Sequence, residues 1–377
     1  MKILVTGGAG FIGSHTVDQL VAHDHDVTVL DNLDPQVHGD GADIPAHLED
    51  HVSAQRVHFI RGDVREAEVV ARSVRGVDTV VHLAAAVGVG QSMYTPSHYS
   101  DVNVAGQGRL LEAMVRDAKR YRRMVVASSM SIYGEGAYRC GEHGVVAPPP
   151  RPEAQLARSQ WELVCPSCGR TLDPTLTKED KPLQATSIYA VTKKSQEELA
   201  LCFGRAYRIP TLALRFFNVY GSRQALSNPY TGVAAIFLSR LKNGHPPLVF
   251  EDGRQSRDFI HVSDAARAVV RAVEGNDEVW DAYNICRGTP VTILQVASAL
   301  AERLGLRVDP VLMGRYRSGD IRHCVGDPAR ARAGLRFEAT TSFRAGLDEL
   351  MAWSERQRPV DRVEASFAEL ERQGLVH

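Results

Sequence analysis

An α/β fold built on a doubly wound parallel sheet is predicted by three features of the 377-residue sequence. Short apolar runs alternate with stretches whose apolar residues recur at helical spacing. Each run is continuously apolar rather than alternating, as expected of strands covered on both faces. The first run passes directly into a glycine-rich turn and then a helix, the opening of a βαβ unit.

Lys2 to Thr6 forms the first strand and ends in Gly7-Gly8-Ala9-Gly10. Phe11 to His23 follows as a helix, with Phe11, Ile12, Val17, Leu20 and Val21 at helical spacing. Val27 to Leu30 is a second strand closing on Asp31, and Val57 to Ile60 a third closing on Asp63. Thr79 to Leu83 runs into Ala84-Ala85-Ala86, and Met124 to Ala127 ends in Ser128-Ser129. Helical patterns cover Tyr99 to Lys119 and Ala190 to Tyr207, and another strand covers Thr211 to Phe217. Beyond Ser222, breaks such as Asn228-Pro229, Pro246-Pro247 and Gly253 leave shorter elements. Residues 1–221 are therefore read as the sheet domain and 222–377 as a smaller α/β portion, partly interleaved with it. That portion would lie at the carboxyl ends of the strands, where open α/β sheets bind ligands.

With 44 Lys plus Arg against 45 Asp plus Glu, the chain has no net field to draw in nucleic acid or an acidic membrane. Charged residues are 24% and hydrophobic residues 44% of the chain, enough for a sizeable core. No apolar run of about 18 residues could cross a membrane, and the first residues enter a strand with no leader pattern, so a cytoplasmic protein is expected. Six cysteines in that compartment argue against structural disulfides. Three of them, Cys140, Cys165 and Cys168, crowd into one short window.

The glycines at 7, 10 and 13 stand between strand and helix in the order a dinucleotide requires. Gly7 permits the tight turn, Gly10 lets the backbone approach a pyrophosphate, and Gly13 lets helix and strand pack closely. Asp31, ending the second strand, can accept both adenosine ribose hydroxyls and would repel a 2′-phosphate, which favours NAD over NADP. Asp63 can reach the adenine amino group, although a turn aspartate fits the same place.

Tyr189 and Lys193 stand four apart at a helix start, on one face. An ammonium there would lower the phenol's pKa towards neutrality and make it a usable base. The pair follows both the glycine motif and a strand ending in Ser128-Ser129, an order not expected by chance.

These features, with His82-Leu83-Ala84-Ala85, Asn103, Ser128-Ser129-Met130-Ser131-Ile132-Tyr133-Gly134, Arg215-Phe216-Phe217-Asn218-Val219-Tyr220-Gly221, Arg257-Asp258-Phe259-Ile260-His261-Val262 and Arg317-Ser318-Gly319-Asp320, carry a resemblance from Met1 to about Asp327. The chain resembles the extended short-chain dehydrogenase/reductases, and within them the nucleotide-sugar epimerases of the UDP-galactose 4-epimerase type. The resemblance implies a Rossmann-type domain binding NAD through Gly7, Gly10, Phe11, Ile12, Gly13, Asp31, Asn32, Asp63, Val64, Leu83, Ala84, Ala85, Asn103, Ser128, Tyr189, Lys193 and Phe216. It makes Ser129 the catalytic hydroxyl beside Tyr189 and Lys193. It also assigns Ser131, Asn218, Arg257, Arg317 and Asp320 to the substrate.

The implied reaction is transient oxidation of a sugar hydroxyl and re-reduction on the other face, with C4 favoured. Related 4,6-dehydratases carry Asp-Glu immediately after the catalytic hydroxyl, where Met130 and Ser131 stand here. Elimination therefore lacks its acid and base. Relatives that epimerise C3 and C5 have a cysteine at the place of Ser131, and decarboxylases an acidic residue beside the place of Ser129. Cys324 stands where some epimerases carry a tyrosine that narrows the sugar pocket. A smaller side chain would admit bulkier sugars, while a buried cysteine packing as a small hydrophobe fits equally.

Ser129 and Tyr189 are 60 positions apart, whereas the resemblance implies about 25. The excess, within 135–180, holds Cys140-Gly-Glu-His143 and Cys165-Pro-Ser-Cys168-Gly169. Four such side chains suit a closed, structural zinc site of the Cys₃His kind, with a redox Cys-x-x-Cys or free thiols as alternatives. Ala147 to Ser159 is rich in Pro and Arg and poor in apolar residues, so a metal would supply missing stability to a zinc-knuckle-like flap. Its attachment puts that flap beside the sugar pocket, bearing on substrate choice.

The leading reading is an NAD-dependent nucleotide-sugar 4-epimerase acting on a UDP-, dTDP- or GDP-sugar. A dTDP-L-rhamnose-like substrate is one candidate. A keto-sugar reductase and a non-catalytic dinucleotide-binding regulator are the alternatives. The helices Tyr99 to Lys119 and Ala190 to Tyr207 match those forming a four-helix dimer interface in the family, which implies a homodimer.

Overall fold

A computed structural model describes all residues, 1–377. Its strands in chain order begin with β1 (Lys2–Thr6), β2 (Asp26–Asp31), β3 (Val57–Arg61), β4 (Thr79–His82) and β5 (Arg123–Ser129). The insertion adds β6 (Ala137–Cys140), β7 (Gly144–Val146) and β8 (Asp173–Thr177). Then come β9 (Thr211–Phe216), β10 (Asn218–Tyr220), β11 (Leu248–Val249), β12 (Ser256–His261), β13 (Trp280–Ile285), β14 (Pro290–Thr292), β15 (Val311–Leu312) and β16 (His323–Gly326).

Seven of these form one parallel sheet in the order β13-β9-β5-β4-β1-β2-β3. That is a Rossmann-type order with one further strand at the β13 edge. One face buries Val17, Leu20 and Val21 of the helix Phe11–Ala22 with Ala265, Ala268 and Val269 of Val262–Glu274. The other buries Leu110, Leu111 and Met114 of Gly106–Val115 with Ala200, Leu201 and Phe203 of Ile188–Tyr207. Each large side chain buried there contributes on the order of 1.5–3 kcal/mol, and together they fix where the strands end. The second half of the chain re-enters this domain, because Val262–Glu274 packs on Phe11–Ala22 and Trp280–Ile285 forms the edge strand.

The helix expected over Tyr99 to Lys119 is interrupted. Pro96–Tyr99 passes through a π-helical segment, Ser100–Ala105, before Gly106–Val115 continues as α-helix. The wider segment carries Asn103, whose amide is fully engaged with neighbouring elements. Such segments cluster at functional sites.

A second sheet runs β10-β12-β16-β8-β6-β7, with β14 also paired to β12. Three of its strands come from the insertion. The stretch expected as a flap is thus continuous with the sheet of the smaller portion: β8 pairs in parallel with β16, and β6 lies antiparallel to β8. Its own core is small, with Tyr138, Cys140, Leu163, Cys165 and Leu172 buried together. No helix is long and apolar enough to cross a membrane.

Candidate active site

The carboxyl ends of the parallel strands open onto a cleft of about 670 Å³ that reaches across to the smaller portion. Its cofactor side is made largely of backbone. Gly7 has φ +70°, and a Cβ on it would lie 2.8 Å from the Ala84 nitrogen. A Cβ on Gly13 would lie 2.0 Å from the Gly7 carbonyl oxygen, so the helix seats on the turn only because that side chain is absent. No side chain caps the helix, and Gly10, Phe11, Ile12 and Gly13 at its start line the cleft. A phosphate is met there by free N–H groups and the positive end of the helix dipole.

Asp31 is buried, its two oxygens accepting the Ala9 N–H at 3.0 Å and the Leu33 N–H at 2.9 Å. Burial raises its pKa, partly offset by the Leu33 N–H and by His38. Asn32 donates to Asp63 at 2.9 Å. Asp63 is also gripped by Arg65, through Nε at 3.0 Å and Nη2 at 2.9 Å. Burial alone would raise its pKa, but these bonds outweigh it and hold the carboxyl near 2. Arg65 was not anticipated, although two residues after a turn aspartate is a natural place for its partner. Val64, Leu83, Ala84, Ala85, Ser128 and Phe216 complete this wall.

Asn103 does not reach the wall. Its amide donates to the Ala86 carbonyl at 3.1 Å and to Thr192 Oγ1 at 3.0 Å, and its oxygen accepts the Ala86 N–H at 2.7 Å. It ties the loop after β4 to the Tyr189 helix. Ser128 likewise turns its hydroxyl away, donating to Glu197 at 2.6 Å, where the buried Arg215 is also paired.

Ser129, Tyr189 and Lys193 all line the cleft. The pairing of Ser129 with Phe216 levels the ends of β5 and β9 beneath them. Ser187 caps the helix Ile188–Tyr207 by accepting the Ala190 N–H at 3.1 Å, and the Tyr189 N–H donates to Ser92 Oγ at 3.0 Å. Ser131, expected at the substrate, donates its hydroxyl to Ser129 Oγ at 2.9 Å. Ser129 keeps its own hydrogen for another acceptor.

Burial raises the pKa of Tyr189, and a hydrogen bond with Ser129 pulls against it. Lys193 is not among the groups that shift Tyr189, contrary to the depression expected from sequence. Burial brings Lys193 itself down to about 7, opposed by Glu197. Its Nζ instead donates to Gln196 Oε1 at 2.6 Å. The Gln196 amide nitrogen lies 3.2 Å from His82 Nε2, and His82 Nδ1 lies 2.7 Å from Thr6 Oγ1. Burial and the Lys193 charge lower His82 to about 3, so it is neutral: Nε2 accepts from Gln196 and Nδ1–H donates to Thr6. Gln196 thus connects the lysine to the end of β1. Its place three residues after Lys193, on the same helix face, was the signal available for it.

On the substrate side, Asn218 Oδ1 is buried without a hydrogen-bond partner and lines the cleft, an acceptor in want of a donor. Arg257 donates to the carbonyls of Ile321 at 2.7 Å and Arg322 at 2.9 Å. Arg317 is paired with Asp320 at 2.8 Å and lies over the Phe250 ring at 4.7 Å from its centroid. Arg257, Arg317 and Asp320 all line the cleft. Cys324 does not. It is 1% exposed and packed with Met130, Tyr133, Phe217 and Cys286, and burial pushes its thiol up to about 12. It is a core residue, the second of the two readings its position allowed, and does not itself line the substrate side of the cleft.

In the insertion, Cys140, His143, Cys165 and Cys168 place their donor atoms within 4.8 Å of one another. His143 Nδ1 is 3.5 Å from both Cys140 Sγ and Cys165 Sγ, and Cys140 Sγ is 3.7 Å from Cys168 Sγ. A tetrahedral zinc ion with ordinary bond lengths requires edges of about 3.6 Å for N to S and about 3.8 Å for S to S. The donor set fits that ion. Both cysteine pairs sit on hairpin turns closed by left-handed glycines, Gly144 at φ +70° and Gly169 at φ +69°.

Comparison with known proteins places the chain in a family. The NAD dependent epimerase/dehydratase family matches residues 3–160 and 164–286. The chain belongs to that family. A dTDP-L-rhamnose 4-epimerase of Burkholderia thailandensis is 35% identical over 93% of this chain and 94% of its own length. Among solved structures, MoeE5 in complex with UDP-glucuronic acid and NAD has a TM-score of 0.74 at 31% identity, covering 94% of this chain and 99% of that one. The Thermus thermophilus UDP-glucose 4-epimerase in complex with NAD has 0.74 at 29%, covering 95% and 100%.

Proposed function

We propose that this member of the epimerase/dehydratase family is an NAD-dependent nucleotide-sugar 4-epimerase. The observation that carries the reading is one cleft lined by Ser129, Tyr189 and Lys193 together with the glycine cradle and with Arg257, Arg317 and Asn218. NAD bound in the cradle supplies the hydride acceptor and, in the return step, the donor. Gly7, Gly10 and Gly13 leave room for its pyrophosphate, and Asp31 takes its ribose hydroxyls.

Tyr189 takes the proton from the sugar hydroxyl and returns it after the keto sugar has turned over. Ser129, oriented by Ser131, hydrogen-bonds the oxygen that becomes a carbonyl. Lys193 balances the phenolate charge once the cofactor's own positive charge joins it. Met130 is buried beside Tyr133 and Ser131 is spent on Ser129, so neither offers the acid or base an elimination needs. Arg257 and Arg317 suit the diphosphate because a guanidinium fork matches its oxygens.

The first substrate to test is dTDP-L-rhamnose, on the strength of the 35% identical relative. Cys140, His143, Cys165 and Cys168 are assigned a structural zinc ion, closed to substrate by four protein ligands. A homodimer is supported by Val115, Val191, Leu199 and Tyr207, each at least 38% exposed on the helices Gly106–Val115 and Ile188–Tyr207. Unpaired thiols fit a reducing compartment, in keeping with a cytoplasmic location.

The deciding experiment is incubation with dTDP-, UDP- and GDP-sugars, reading C4 stereochemistry by NMR. Inversion at C4 is expected, falling about a thousandfold in Tyr189→Phe while NAD is retained. Inversion undiminished in that variant, or none with any sugar, overturns the reading.

A further inference from the structure

The insertion meets the substrate side of the cleft through a buried ion network. Arg151, on the insertion, has only 2% of its side chain exposed. Its Nη2 donates to Glu251 at 2.8 Å and to the Asp320 carbonyl at 3.2 Å, and its Nε is 3.6 Å from Glu135. The other Glu251 oxygen accepts from Arg322 Nη1 at 2.9 Å. Arg322 is fully buried and also binds Asp252 at 2.6 Å and Glu162, on the insertion, at 3.0 Å. Its backbone N–H donates to Glu135 at 2.8 Å, two residues beyond Tyr133.

The network adjoins three residues that line the cleft, Phe250, Arg317 and Asp320. Phe250 precedes Glu251 and lies beneath Arg317, while Asp320, held at its carbonyl by Arg151, grips the Arg317 side chain. Glu162 stands three residues before Cys165, beside Leu163 in the same small core as Cys140. Contacts therefore run without a gap from the Cys/His hairpins to the arginine wall. Burial opposes the charge on Arg322, but its bonds to Asp252 and Glu162 outweigh that and raise its pKa. Two guanidinium groups buried among carboxylates are a poor means to stability alone, since apolar side chains do as well. A network of this kind can instead fix one geometry.

We propose that Arg151 and Glu162 are positioning residues for substrate binding, fixing the wall of Phe250, Arg317 and Asp320 that receives the nucleoside diphosphate. The inference rests on the nucleotide-sugar reading of the cleft. It also assigns the insertion a task in recognition rather than in hydride chemistry.

The test uses the full chain with NAD bound, with free UDP, dTDP and GDP as calorimetric probes. In Arg151→Met and in Glu162→Gln, the Kd of whichever diphosphate the parent binds is expected to rise about tenfold, and the KM of the sugar substrate with it. The kcat and the NAD content should stay within twofold. Arg151→Lys keeps the charge without the fork and serves if the methionine variant does not fold, with a smaller rise in the same two quantities. Kd and KM within twofold of the parent in folded variants overturn the proposal. So does a fall in melting temperature and kcat with KM unchanged, which assigns the network to stability. A parent that binds no diphosphate rejects the nucleotide-sugar reading itself.

Discussion

In the cofactor turn, Gly7 and Gly13 are six residues apart and act through backbone clearance, since a Cβ on Gly13 would fall 2.0 Å from the Gly7 carbonyl oxygen. In the insertion, Arg151 reaches Glu251 and Asp320, 100 and 169 positions away, and acts through charge. Both regions position groups around one cleft. The first is written locally and tolerates little change in side-chain volume. The second is assembled only when distant parts of the chain have folded, and it depends on the charge state of its side chains.

Removal of metal from the Cys/His hairpins should separate the two regions most sharply. Chelation, or Cys165→Ser, is expected to cost the insertion several kcal/mol and open residues 137–177 to proteolysis, with NAD still retained. Atomic absorption and limited digestion check this. An insertion that stays protected without metal would show that the ion network alone suffices.

Next in size is Gln196→Leu, which leaves the Lys193 ammonium without its acceptor. The expected result is a kcat about tenfold lower with KM unchanged, the cost of one misplaced charged hydrogen bond. Steady-state kinetics decide it, and an unaltered kcat removes Gln196 from the positioning of Lys193.

The smallest effect is the pH dependence of Glu162. Its hydrogen bond with His323 and its Arg322 pair hold it near 2, below the usual carboxylate range. The stability it contributes is thus present above about pH 4.5 and is lost as pH falls towards 2. With the side chain 44% exposed, solvent screening leaves about 1 kcal/mol. Urea melts of Glu162→Gln and parent should differ by that amount near pH 7 and converge in acid.

The same contrast explains what could be read from the sequence. The strands and the glycine turn follow from residues close in sequence and stand where expected, and the Tyr189-Lys193 pair, read the same way, lines the cleft. The four candidate metal ligands were legible for the same reason, as two short pairs. The joining of β8 to β16 was not, because strand pairing over such a separation leaves no periodic trace. Cys324 stayed open between the pocket wall and the core, because its spacing from Asp320 says nothing about which side of the strand it faces. Gln196 lay within reach, but a glutamine on a helix has many uses, and only the buried His82 behind it shows which one applies.

The shared second sheet sets an order of assembly during synthesis. Thr177 leaves the ribosome about 150 residues before Gly326, the residue it pairs with. At roughly 5–20 residues per second, β8 waits about 7–30 s with one edge open. The Cys/His hairpins need nothing from downstream, so a metal bound there would hold β6 and β8 together through that interval. Nascent chains starved of metal would expose the unpaired edge to other chains, and poor solubility on expression would then arise before any catalytic defect could be measured.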